Sequence, residues 1–178
     1  MRIELVNPDG ELTTEVIISI NESGERHEYR RPARYYHLVV ANTSRWPVAN
    51  NVQIMITRLE APDPGGRSQT VWLGELPLQW QHAQVHALLR TVGRPALADS
   101  ISVVQDPVRQ HNELHLMTLL TPNNFGKSYY GPTQLWVTVI ARANEADSRQ
   151  LRLEIAWDGQ WSDGGAEMRQ HLVIRPDG

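Results

Sequence analysis

Cysteine is absent from all 178 residues, which excludes a disulfide framework, a thiolate metal site and a cysteine nucleophile at once. Lysine is nearly absent: Lys127 is the one exception among seventeen basic residues, the rest being arginine. Arginine's planar, bidentate donors are one reason for such a choice, but a codon bias explains it without asking anything of the fold. Phenylalanine occurs once, at Phe125, against six tryptophans. No window approaches the roughly 20 apolar residues of a membrane-spanning helix, and MRIELVNPDG lacks the basic-then-apolar pattern of a secretory leader. A chain with no membrane span, located in the cytoplasm, is therefore expected. Neither sign of charge dominates. A net charge of -3 supplies no broad field for nucleic acid, so nucleic acid is not an expected partner.

What is present is alternation. Apolar and polar residues exchange with period two in short runs, the mark of strands buried on one face. The runs are Arg2–Val6, Thr13–Ile20, Arg34–Ala41, Asn51–Leu59, Thr70–Leu78, Ile101–Gln105, Glu113–Leu120, Leu135–Ala143, Arg149–Trp157 and Arg169–Arg175. Tyr36, Leu38 and Val40 fall on one side of their run, as do Val52, Ile54 and Ile56, and Leu151, Leu153, Ile155 and Trp157. Between the runs stand NPDG at Asn7, NESG at Asn21, APDPGG at Ala61, TPNNFG at Thr121 and SDGG at Ser162, where glycine, proline and Asn/Asp favour turns. One ambiguous stretch accommodates a short helix near residues 81–89. There is no fixed-period repeat and no linker. The expected fold class is all-β, a sandwich of about seven to ten mainly antiparallel strands in a single domain over 1–178, with 1–33 as N-terminal strands and connection and 34–175 as the main sandwich.

The combination of YYHLVVAN (Tyr35–Asn42), ANNVQIMI (Ala49–Ile56), LPLQW (Leu76–Trp80) and LEIAWDGQW (Leu153–Trp161) resembles an uncharacterised bacterial domain of immunoglobulin-like sandwich character. The resemblance spans roughly Arg34 to Ile174. It implies an immunoglobulin-like fold, without the cysteine pair of antibody domains, and brings no activity or cofactor with it.

Several residue patterns invite chemistry. His82 with His86, and His111 with His115, stand at i,i+4, but neither pair has the glutamate directly after the first histidine that zinc proteases require. HNELH reads as a strand, where His111, Glu113 and His115 share a face and offer a candidate metal site. G-x-S-x-G does not occur, and FGKSYYG has Thr121 where a phosphate loop needs its first glycine. RHEYRRPARYY (Arg26–Tyr36) sets Arg30, Arg31 and Arg34 beside Tyr29 and Tyr35, a phosphate-and-base pattern diluted by Glu22, Glu25 and Glu28. The plainer reading is a solvated connection leading into a core strand.

The tryptophans divide similarly. Trp46, Trp72, Trp136 and Trp161 are candidates for a sugar-stacking platform, but core packing is the plainer reading, since Trp80 and Trp157 end apolar runs and Trp136 lies inside QLWVTVIA. Of these, Trp46 and Trp161 are least explained by an inward face. In WDGQWSDGG (Trp157–Gly165), counting from Asp158 leaves neither glycine at position 6 nor glutamate at position 12, so an EF-hand loop is excluded. The stretch is either a hairpin turning at Asp158-Gly159 or one longer loop with Trp161 near its tip.

These readings favour a non-enzymatic module, without cofactor, that presents loops or a sheet edge to a protein partner or a second copy within a bacterial assembly. The candidate surface comprises Trp46, Trp161, Arg30, Arg31 and Tyr35. Carbohydrate binding through exposed tryptophans is the second reading, and a metal-dependent enzyme built on His111, Glu113 and His115 the third.

Overall fold

A computed structural model describes residues 1–43, 48–81, 90–92 and 94–177. The elements are β1 (Arg2–Ile20), β2 (Arg26–Ala41), β3 (Ala49–Pro62), β4 (Ser68–Pro77), β5 (Gln79–Trp80), β6 (Arg90–Val92), β7 (Ala96–Asp106), β8 (His111–Leu116), β9 (Ser128–Tyr129), β10 (Thr133–Arg142), β11 (Leu151–Trp157), α1 (Gly165–His171) and β12 (Leu172–Pro176). The twelve strands among the described residues exceed the seven to ten expected, because β5, β6 and β9 are two or three residues long and too short to show alternation. The helix considered near 81–89 falls on residues 82–89, outside the described residues.

Two antiparallel six-stranded sheets result. The first runs β1-β2-β7-β8-β9, with β5 also pairing β7; the second runs β12-β11-β10-β3-β4, with β6 also pairing β3. Alternation correctly sorts the faces between them. Tyr36, Leu38 and Val40 of the first sheet and Val52, Ile54, Ile56, Leu153, Ile155 and Trp157 of the second are all at most 3% exposed, in one shared core. Buried apolar area of this kind is the main favourable term in folding. The chain crosses between sheets at Leu78, whose N–H bonds Ile54 O at 2.9 Å, so that β5 is laid against β7.

Three local expectations are corrected. NPDG does not end a strand. It is a bulge inside β1, with Asn7 at φ 59° and Gly10 at φ 66°, and four residues, 7–10, stand between Val6↔His37 and Glu11↔Tyr35 where β2 has Tyr36 alone. Turn-forming residues reach positive φ equally well within a strand, where they make a bulge. Nor is Arg26–Tyr36 a loose connection: it is the first part of β2, paired with β1 from Ile20↔Arg26 onward. Finally, the last predicted strand begins late. Arg169, Gln170 and His171 complete α1, which buries Met168 completely, before β12 starts at Leu172. Ala166, Glu167, Met168, Arg169 and Gln170 are strong helix formers, with acid in the first turn and base in the last to suit the dipole. The longer-loop reading of WDGQWSDGG is the one realised, since Trp157 pairs with Leu172. Among the described residues no helix is long and apolar enough to cross a membrane.

Candidate functional site

Residues 35 and 37 of β2 point away from the core, opposite Tyr36 and Leu38, and there the outer face of the first sheet is polar. Tyr35 and His37 present nearly parallel rings, 9° apart with centroids separated by 6.4 Å. Around them opens a groove of about 340 Å³ lined by Glu11, Thr13, Glu15, Gln79, Gln81, Asp99 and Met117 among others. β1, β2, β5 and β7 each contribute a wall residue, so the groove exists only once those strands are assembled.

His37 is its best-buried polar group, 5% exposed. Its Nδ1 lies 2.9 Å from Asp99 Oδ1 and its Nε2 3.3 Å from Glu11 Oε2. Gln81 Nε2 donates to the same Glu11 oxygen at 3.4 Å. The Asp99 hydrogen bond is the chief reason that the His37 pKa is raised; burial works against it, and the Glu11 carboxylate adds to the rise. When protonated, the ring donates to carboxylates from β1 and β7, linking the two strands that flank β2.

A second set adjoins it. Tyr35 Oη donates to Glu15 Oε1 at 2.6 Å, and Arg31 Nε donates to Glu15 Oε2 at 2.9 Å. Burial, then the hydrogen bond to Glu15, pushes the Tyr35 phenol well above its usual range. A smaller cavity of about 180 Å³ continues the groove past Glu15 and Met117 to Arg31, His115 and Lys127. There His115 places Nδ1 3.2 Å from Ser128 Oγ and Nε2 3.1 Å from Glu113 Oε2. Burial nevertheless dominates, and holds its pKa below the ordinary value. Two histidines on one sheet face thus have pKa values displaced in opposite directions.

The residues singled out from sequence are distributed as follows. Tyr35 and Arg31 belong to this groove system. Arg30 is exposed and pairs with Glu28 at 2.9 Å. Arg34 points the other way, into the protein: 3% exposed, it donates to the carbonyls of Asp9 (2.8 Å), Gly10 (3.3 Å) and Asp163 (2.6 Å), clamping the β1 bulge to the loop before α1. The phosphate-and-base pattern is therefore dismantled by strand alternation, which sends Arg31 and Arg34 to opposite faces.

Of the metal candidates, Glu113 and His115 meet, but the His111 ring packs edge-on against Tyr130 at 5.3 Å. Among the described residues no group of three or more histidine, aspartate or glutamate side chains could hold a metal ion. Sharing a strand face at i, i+2 and i+4 spreads residues along about 13 Å, too far for one ion unless the strand bends.

Among the described residues the tryptophans make no common platform. Trp80 and Trp157 are buried, with the Trp157 indole donating to Gln160 O at 2.9 Å. Trp72 meets Phe125 edge-on at 5.1 Å, and Arg152 lies 5.5 Å over Trp136. Trp161 is half-buried against the core and donates to Asp163 Oδ1 at 2.9 Å. Trp46, His82 and His86 lie outside the described residues.

Sequence reasoning missed Glu11, His37, Asp99 and Gln81. The available signal was His37 itself, a titratable residue at i+2 from Tyr35 on the polar side of an otherwise apolar strand. Asp99 and Gln81 carry no local signal at all. Comparison of the chain with protein-family models, curated proteins and solved structures finds no match.

Proposed function

We propose that this chain is a non-enzymatic recognition module, an immunoglobulin-like sandwich that engages a protein partner through the groove on the outer face of its first sheet. The observation that supports this reading is the groove itself. It sets the carboxylates of Glu11, Glu15 and Asp99, met respectively by His37 and Gln81, by Arg31 and by His37, beside an aromatic ring and two side-chain amides. Glu11 is the most accessible of the three carboxylates, so the groove offers charge to basic or amide-bearing side chains of a partner. Electrostatic complementarity of this kind steers encounter and sets specificity. The immunoglobulin-like assignment draws support from two packed antiparallel sheets and from a chain that passes repeatedly between them.

The test compares the wild type with a Glu11→Gln/Tyr35→Ala variant as affinity baits, after circular dichroism establishes that both fold. A partner retained by the wild type, weakened by added salt and lost from the variant is the expected result. Equal retention by both would defeat the groove assignment.

A second reading moves carbohydrate binding from the tryptophans to this groove, because Tyr35 is surrounded there by Thr13, Thr14, Gln79 and Gln81, the hydroxyl and amide groups that recognise sugar hydroxyls. Glycan-array binding that disappears with Tyr35→Ala would favour it over the protein partner. A blank array would remove it.

A further inference from the structure

The other face of the β1–β2 ladder poses a separate question. Beyond the bulge, β1 runs on through Ile20 as the outermost strand of its sheet among the described residues, where it pairs with β2 alone. Its even-numbered side chains share the side on which Arg34, Tyr36 and Leu38 enter the core. Here the second sheet no longer covers them: Leu12 is 48% exposed, Val16 49%, Ile18 51% and Ile20 71%. An apolar stripe continuous with the core thus lies open on a strand whose outer backbone groups have no neighbouring strand among the described residues.

Free edges are ordinarily blocked by lysine, proline, a bulge or an inward charge. Residues 12–20, LTTEVIISI, contain none of the first three, and their one ionisable side chain, Glu15, is held by Arg31 and Tyr35 on the opposite face. The edge is also self-complementary. In an antiparallel pair with a second β1 related by a two-fold axis at Val16, Leu12 faces Ile20 of the copy, Thr14 faces Ile18, and Val16 faces Val16. Glu15 then faces Ile17 rather than another carboxylate. Moving the axis to residue 15 opposes two Glu15 side chains, and moving it to 17 sets Leu12 against Glu22, so charge and apolar matching both select residue 16.

We infer that residues 12–20 of β1 form the interface of a homodimer, in which two copies join edge to edge and extend the first sheet across both molecules. The occupant is a second copy of this chain because one register satisfies apolar contact and charge together using this sequence alone. The apolar stripe of Leu12, Val16, Ile18 and Ile20 lies on the face of the hairpin opposite the groove, although Thr13, Thr14 and Glu15 of the same segment line that groove.

The absence of native cysteine makes the test specific. A Val16→Cys variant places two thiols opposite one another at the axis, about 4.5–5.5 Å apart at Cα, within disulfide reach. Mild oxidation should link it into dimers at least ten times faster than Leu120→Cys, an exposed site elsewhere. Val16→Lys should weaken dimerisation by tenfold or more in sedimentation over a concentration series, with an unchanged circular dichroism spectrum. A chain that stays monomeric across the series overturns the inference. So does a dimer that Val16→Lys leaves intact, or one in which Val16→Cys couples no faster than the control.

Discussion

The two halves of the β1–β2 hairpin are built alike and end differently. In the first half, Ile3 and Leu38 lie on the inner side of the ladder and are 7% and 0% exposed; in the second, Val16 and Ile18 stand on the same side at 49% and 51%. Strand type, pairing partner and alternation are shared. What differs is the presence of the second sheet, so alternation states which side a residue takes and the packing of the other sheet decides whether that side is dry. Between the halves sits the bulge, where Arg34 ties Asp9 and Gly10 to Asp163.

The comparison is broken most severely in the covered half. Leu38→Ala removes a side chain that is fully enclosed and should cost about 2–5 kcal/mol, read from urea midpoints at constant m-value. Next comes the joint. At Gly10 an added Cβ would stand 2.6 Å from Arg34 Cγ and 2.9 Å from Tyr36 Cζ at a φ of +66°, so Gly10→Ala should destabilise by about 2 kcal/mol. If the bulge simply relaxed, the loss would stay under about 0.5 kcal/mol, and the clamp would count for little.

A smaller effect, and one of definite sign, concerns the outer face. The folded pKa of His37 is raised above the ordinary 6.5, so its contribution is fully present below that pH and is lost as pH climbs through the folded value. His115 is lowered. Its contribution is present above 6.5 and is lost as pH falls through the folded value. Urea midpoints between pH 5 and 8 should therefore show His37→Gln flattening the alkaline decline and His115→Gln flattening the acid one. Identical profiles for the two variants would contradict the opposed environments. Smallest of all is Ile18→Ala in dilute protein, expected within about 0.5 kcal/mol of wild type. A loss approaching that of Leu38→Ala would mean the arm is covered in the single chain.

The contrast also explains how much was legible beforehand. Inward residues such as Tyr36, Val52 and Ile155 were readable because a strand's two faces are fixed by a period of two. Trp80 and Trp157 were readable as core from the runs that they terminate. The bulge at Asn7–Gly10 was mistaken for a turn, since the same residues reach positive φ in both settings and only the continued pairing of Glu11 with Tyr35 tells them apart. His37 meets Asp99 from 62 residues away, Gln81 from 44 and Glu11 from 26. No local spacing encodes such encounters, because they depend on which strands become neighbours.

By itself the sequence determined the all-β class, the assignment of side chains to faces and most of its turns. Tertiary structure alone decided that β1 lies at an edge, that half of the β1–β2 hairpin is roofed by a second sheet and half is not, and that four strands converge to form the groove around His37. The physical reason is one of range: alternation and turn preference act over a few residues through steric limits on the backbone, whereas coverage and convergence depend on the order in which distant strands pair.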